Sequence, residues 1–442
     1  KDSTKIIKLY INNLPFKLTK NQKIIYQDII KDLNSKNKML RLLHGDVGSG
    51  KTVVAIISAL HVIKSGYQVA LMAPTELLAK QHYTSVKKIF ENLSYNVALL
   101  TSSSENKGDV LKNIKTHKIN LVIGTHALIQ KNVNFYNLSY VIIDEQHRFG
   151  VEQRLKIRNK GQSVDMLILS ATPIPRTLML ATLGDISVST LKQKPFNNTV
   201  KTILKSENNL NDILVYIDKE IKLNNKIFWI CPTIEEKDEK SQSYSVEERY
   251  RLIKNKFKNV GLLHGKLDPN KKEQILNEFR DSKIKILIST VVIEVGIDIP
   301  DANIIIIDNS NKFGLAQIHQ LRGRVGRGKN NGVCILLYKE PLNENSLNRL
   351  KILKTSNNGF EIAESDLLMR GGGDELGKKQ YGFEEFKFFD ILYHKNLIEL
   401  SIKEANEIIS LDPHLSSSRG LDLINLLYIH KKDKAINLIS AG

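Results

Sequence analysis

Met39-Leu40-Arg41-Leu42-Leu43-His44-Gly45-Asp46-Val47-Gly48-Ser49-Gly50-Lys51-Thr52 decides the fold. An apolar run, Met39 to Leu43, enters the glycine-bearing octapeptide Gly45–Thr52, and a helical run, Val53 to Leu60, leaves it. That order is a strand, a phosphate-cradling loop and a helix. The glycines let the backbone turn tightly, so that its N–H groups and the helix N-terminus face an anion. Lys51 then meets the β/γ-phosphates and Thr52 holds Mg²⁺, with Gly45, Gly48, Ser49 and Gly50 as the cradle.

A second stretch says what the nucleotide is for. Tyr140-Val141-Ile142-Ile143 is a buried-strand run that ends in Asp144-Glu145-Gln146-His147. Asp144 suits a Mg²⁺ ion, and Glu145 beside it suits activation of water. P-loop kinases do not need the second carboxylate, whereas NTP hydrolases do.

Charge bounds the partner. Lys+Arg 65 against Asp+Glu 47 gives +18 over 442 residues, which favours a polyanion. The chain is also rich in Lys, Ile and Asn throughout, as an AT-biased genome produces, so charge alone leaves both accounts open. Cys231 and Cys334 lie far apart in apolar runs without metal spacing, and read as buried thiols of a reducing cytosol. No apolar stretch approaches the roughly 18 residues that span a bilayer, and no signal peptide is visible. The expectation is a soluble, cytoplasmic protein with no membrane partner.

Short apolar strands alternate with helical segments at 39–43, 68–72, 121–123, 140–143 and 166–169, a pattern of parallel α/β architecture with its chemistry at the strands' carboxyl ends. Periodicity stops in a polar stretch, Gln193 to Asn198, and restarts at 226–231, 262–264, 286–289, 303–307 and 333–337. After about Pro341 the pattern is mainly helical. The expected domains are therefore 1–195 with the P-loop, 196–340 as a second α/β lobe, and a helical 341–442. Gln320-Leu321-Arg322-Gly323-Arg324-Val325-Gly326-Arg327-Gly328 puts three arginines within six residues. Held near a γ-phosphoryl group, such arginines neutralise the charge of the transition state.

These segments, in this order, resemble superfamily 2 helicases, and among them the RecG family of fork-remodelling translocases. The resemblance extends to Leu14-Pro15-Phe16 with Gln22 (adenine reading), Ala73-Pro74-Thr75-Glu76 and Gly124-Thr125-His126-Ala127 (grip on nucleic-acid backbone), and Ser170-Ala171-Thr172-Pro173 (coupling). In the second lobe it includes Leu263-His264-Gly265, Thr290-Val291-Val292-Ile293-Glu294-Val295-Gly296-Ile297-Asp298 and Phe313-Gly314-Leu315-Ala316-Gln317. The similar Mfd family tends to differ at Ala127, Gln146 and Ser170.

The resemblance implies two tandem RecA-like lobes, each a doubly wound parallel sheet, and a helical translocation domain. It implies ATP and Mg²⁺ as cofactors and duplex and branched DNA as partners, with replication and repair proteins beside them and a monomeric motor. Phe16, Gln22, Gly296 and Asp298 would join the nucleotide site; Lys51, Glu145, Gln320, Arg324 and Arg327 would be catalytic. Gln146, His147, Ser170 and Thr172 would couple hydrolysis to movement, and Pro74, Thr75, Gly124, Thr125, His126, His264, Thr290, Arg370 and Gln380 would contact DNA. Gly372 and Lys379 depart from the family's usual Pro and Arg, and with the family's N-terminal wedge domain not among these 442 residues the chain is expected to open mid-protein. A transcription–repair translocase of the Mfd type and an RNA helicase stand as alternatives, the tail motif arguing against the second.

Overall fold

The computed structural model describes residues 7, 10–14, 16–104, 106–145, 149, 151–170, 186–193, 195, 199–232, 245–291, 302–326, 331–370 and 394–430. In the first lobe, helix α1 (Lys20–Leu33) precedes strand β1 (Leu40–Gly45), α2 (Lys51–Lys64), β2 (Gln68–Met72), α3 (Glu76–Asn92), β3 (Val97–Leu100), α4 (Lys107–Lys115), β4 (Leu121–Gly124), β5 (Leu138–Ile143), α5 (Val151–Arg158), β6 (Asp165–Ser170) and β7 (Ser187–Leu191). The strands form one parallel sheet in the order β3-β4-β2-β5-β6-β1-β7. Helix α1 begins where the sequence offers a reciprocal cap: Thr19 Oγ1 accepts from Gln22 N at 3.1 Å, and Gln22 Oε1 accepts from Thr19 N at 2.9 Å.

The second lobe runs β8 (Val200–Ser206), α6 (Leu210–Lys222), β9 (Lys226–Ile230), α7 (Val246–Lys254), β10 (Val260–Leu263), α8 (Pro269–Arg280), β11 (Ile286–Ser289), β12 (Ala302–Ile307), α9 (Leu315–Arg322) and β13 (Gly332–Tyr338). Its parallel order is β10-β11-β9-β12-β13-β8. Side chains alternate across a strand, so Phe228 and Ile230 enter the core on one face of the sheet while Ile227 and Trp229 enter the core on the other. Both faces are covered, which is why the central strands read as unbroken apolar runs.

Three strands escape that reading. β3 and β7 alternate buried with half-exposed residues, β8 buries only Thr202 and Ser206, and each lies at a sheet edge with a neighbour on one side only. The polar stretch ahead of Thr199 is accordingly followed at once by β8, and not by a long connection to β9.

Beyond the sheets lie α10 (Glu344–Thr355), α11 (Gly359–Arg370), α12 (Lys395–Leu411) and α13 (Ser418–Ile429). Leu350 and Leu353 of α10 and Ile362 of α11 belong to the second lobe's core. The compact unit that holds both sheets therefore continues to Asp366, and α12 and α13 belong to a second unit. No described helix is long and apolar enough to cross a membrane.

Candidate nucleotide-hydrolysis site

Parallel strands lie about 4.8 Å apart. Because β5, β6 and β1 are consecutive neighbours, the carboxyl ends of three strands stand side by side. The P-loop follows β1, Asp144 and Glu145 follow β5, and Ser170 ends β6, paired in register with His44. Segments far apart in sequence thus meet along one edge.

The loop itself needs its glycines. Gly48 and Gly50 have φ of 78° and 85°, in the left-handed region that residues with a Cβ avoid. A Cβ at Gly50 would also stand 2.2 Å from the Gln22 amide nitrogen. Gln22 is buried, and its Nε2 donates to the Ser49 carbonyl at 2.9 Å, so the residue expected to read adenine also ties helix α1 to the P-loop. Phe16 is half-buried and packs against the first lobe's core.

Lys51 opens α2, buried, and its Nζ donates to the carbonyls of Gly45 at 2.7 Å and Asp46 at 3.0 Å. Burial lowers its ammonium below the ordinary lysine value; the carboxylates of Glu145, Asp144 and Asp46 oppose that, and Arg324 of the second lobe adds to it. Burial likewise works against the Asp144 carboxylate. The His82 hydrogen bond, the charge of Lys51 and the Glu145 N–H together hold it below the usual carboxylate range. Glu145 adopts φ of 54°, left-handed backbone in a residue with a side chain, of the kind that collects at working sites.

These residues fit a magnesium nucleotide. Ser49 Oγ is buried in the loop with no hydrogen-bond partner, Lys51 places a partly desolvated cation beside it, and Thr52 stands half-buried in the first turn of α2. No group of three His, Cys, Asp or Glu able to hold a metal ion exists among the described residues. Mg²⁺ sites of one carboxylate, one hydroxyl and phosphate oxygens need none.

From the second lobe, Gln320 and Arg322 are buried and Arg324 half-buried on or just after α9. Gly323 presses on the P-loop so closely that a Cβ there would lie 2.7 Å from Val47 Cβ. Arg322 faces inward: its guanidinium donates to the Leu353 carbonyl at 2.8 Å, the Ser356 carbonyl at 3.0 Å and Thr202 Oγ1 at 3.3 Å.

Among the expected DNA contacts, Thr75 caps α3 by accepting from Leu78 N at 3.3 Å, with Pro74 half-buried before it. A Cβ on Gly124 would strike the Leu100 carbonyl at 2.2 Å, so β3 and β4 require glycine there. Thr125, His264 and Thr290 are buried, while His126 is exposed with its ring 5.2 Å from that of Phe149. Gln146, His147, Thr172, Gly296, Asp298, Arg327 and Gln380 lie outside the described residues, as does the side chain of Arg370, the last residue of α11. Both cysteines are buried and free; burial pushes the Cys334 thiol up to about 12.

Sequence reasoning passed over three residues of the site. His82 Nε2 lies 2.9 Å from Asp144 Oδ2, and His319 Nε2 lies 2.7 Å from Asp46 Oδ1. Nothing marks either histidine in the sequence, since each partner lies 62 or more positions away. Asp46 sits inside the octapeptide at a position whose side chain the phosphate-loop pattern leaves unspecified.

Two parallel lobes, a P-loop with Asp-Glu on one and an arginine-bearing helix on the other define the class: a two-lobed P-loop fold of the helicase type. Three family models match in chain order: DEAD/DEAH box helicase at residues 19–180, helicase conserved C-terminal domain at 207–329, and ATP-dependent DNA helicase RecG, domain 3, C-terminal, at 356–438. The chain is strongly homologous to the RecG ATP-dependent DNA helicases. It is 44% identical over 409 residues to RecG of Bacillus subtilis, covering 91% of this chain and 60% of that protein. It is 43% identical over 410 residues to RecG of Thermotoga maritima, covering 91% and 52%. A solved structure of RecG bound to a three-way DNA junction matches with TM-score 0.72 and 40% identity, over 90% of this chain and 52% of that one. Mss116p bound to single-stranded RNA and AMP-PNP matches with TM-score 0.63 at 20% identity, over 90% and 89%, a likeness of fold. The chain thus spans between about half and three fifths of the RecG proteins it matches.

Proposed function

We propose that this chain is an ATP-driven motor that moves along duplex DNA and remodels branched DNA. The observation that carries the reading is a P-loop whose strand lies beside β6, which ends at Ser170, and next but one to β5, which Asp144 follows, with helix α9 of the other lobe seated on that loop through Gly323 and His319. Magnesium ATP bound there supplies the phosphoanhydride whose cleavage releases energy. Lys51 and the loop N–H groups hold phosphate oxygens, Thr52 and Asp144 hold the ion, and Glu145 orients and deprotonates water. Arg324, with Arg327 and Gln320, completes the charge balance only while the second lobe is seated, so that hydrolysis is coupled to lobe closure. Phe16 and Gln22 select the base. Gly296 and Asp298, outside the described residues, would join this nucleotide site by the family resemblance alone.

The DNA partner is supported by the excess of 18 positive charges and by the junction-bound relative. Pro74, Thr75, Gly124, Thr125, His126, His264 and Thr290 form the proposed backbone track, and Arg370 and Gln380 turn closure into movement. The test is the ATPase rate of this chain against forks, Holliday junctions, linear duplex, single strands and RNA. Stimulation by branched or linear duplex above the single strands is expected; stimulation by RNA alone would replace this reading with an RNA helicase.

A further inference from the structure

Resting on that nucleotide site, we infer that His319 is a positioning residue that latches the second lobe to the P-loop through Asp46. Its ring carries two hydrogen bonds of opposite sense. Arg322 Nη2 donates to His319 Nδ1 at 2.7 Å, and guanidinium can only donate, so Nδ1 is the acceptor. The ring proton is therefore on Nε2, which donates to Asp46 Oδ1 at 2.7 Å. Asp46 Oδ1 also accepts from Val47 N at 2.8 Å, which fixes the turn of the phosphate loop. The chain Arg322–His319–Asp46 is thus directional, and His319 and Asp46 are 4% and 12% exposed, where a charge-assisted bond is shielded from water.

Both ends are anchored. Arg322 is fixed by β8 and by the end of α10 through Thr202, Leu353 and Ser356. Asp46 stands one residue after Gly45 and five before Lys51, whose Nζ takes the Asp46 carbonyl. Helix α9 carries His319, Gln320 and Arg322, with Arg324 two residues beyond. The latch therefore ties the loop that holds phosphate to the helix that aims the arginine, and Gly323 against Val47 provides the steric seat beside it. Seating α9 matters in the transition state more than in nucleotide binding, so its loss should appear in kcat and not in affinity.

The test uses the full chain with His319→Leu, Asp46→Ala, their combination, and His319→Gln. The Gln amide places a donor nitrogen near Nε2 and an acceptor oxygen within reach of Arg322. Leu and Ala variants should lose at least about tenfold in DNA-stimulated kcat, with binding of a fluorescent ATP analogue changed less than about threefold. The double variant should be no slower than the slower single, and His319→Gln should stay within about threefold of the parent. Normal kcat in His319→Leu, losses that multiply in the double variant, or a Gln variant as slow as Leu would each overturn the latch. A second readout needs no hydrolysis: dyes at Lys36→Cys and Lys258→Cys, both exposed, one per lobe, report lobe separation while the native cysteines are buried. Asp46→Ala should populate separated lobes, and an unchanged distance distribution would overturn the latch even if His319→Leu fails to fold. A parent chain that hydrolyses no ATP sinks the proposed function, while the distances still decide the latch.

Discussion

His82 Nε2 and Asp144 Oδ2 stand 2.9 Å apart, both buried, and join the helix capped by Thr75 to the carboxylate after β5. Asp144 Oδ1 takes the Glu145 N–H at 3.1 Å, so each carboxylate oxygen has one protein donor and keeps a lone pair for an ion or its water. Partners of this kind orient a ligand without touching the ion. His82→Ala should therefore raise the Mg²⁺ concentration for half-maximal ATPase by about ten- to a hundredfold, with folding intact. An unchanged magnesium titration would make the contact merely structural.

Glu145 is predicted to act on water and not on nucleotide affinity. Glu145→Gln keeps the side chain's shape and removes its basic oxygen, so turnover should fall by at least about 10² while a fluorescent ATP analogue still binds. If affinity falls as far as rate, the residue holds its left-handed turn and does nothing more.

What was legible from sequence follows a physical division. Continuous runs such as Ile304 to Ile307 were readable because a strand buried on both faces is apolar at every position, and the chemistry of Gly45 to Thr52 was readable because its elements are local. The edge strands 97–100, 187–191 and 200–206 were not, since half or more of their side chains are partly open to water and four to seven such residues look like a loop. His82 and His319 were invisible for a different reason: their roles come from partners that only sheet order and lobe contact supply. The resemblance already set Arg324 and Arg327 apart from Arg322 as catalytic, and the fold adds the reason for Arg322, whose guanidinium faces inward.

A buried charge network in the second lobe sets a stability prediction. Arg249, with no exposed side-chain surface, donates to Asp308 Oδ2 at 2.7 Å and to Glu207 Oε1 at 2.6 Å, and Asp308 also accepts from Trp229 Nε1 at 2.9 Å. Removing the aspartate leaves a guanidinium in the core with one carboxylate and an indole N–H without its acceptor. Asp308→Ala should destabilise this lobe by about 3–5 kcal/mol, read as a lowered denaturant midpoint. A loss under about 1 kcal/mol would mean that water or Glu207 takes over the charge.

Arg322 and Arg324, two positions apart, are predicted to fail in opposite ways. Arg322 serves the carbonyls of Leu353 and Ser356, the Thr202 hydroxyl and His319 Nδ1, all inside the protein, so truncation orphans several buried acceptors. Arg322→Ala should lose at least about 2 kcal/mol of stability. Arg324 instead follows helix α9 one residue after Gly323, which seats on the P-loop at Val47, and it adds to the lowering of the Lys51 ammonium that burial begins. Arg324→Ala should leave the melting temperature near that of the parent and lower kcat by at least about 10², with little change in ATP affinity, because the arginine acts mainly on the transition state. Measuring both variants for melting temperature and kcat separates the roles: a stable Arg324→Ala with normal turnover would leave Arg327 as the finger, and a stable, slow Arg322→Ala would move the catalytic charge to the residue assigned here to the scaffold.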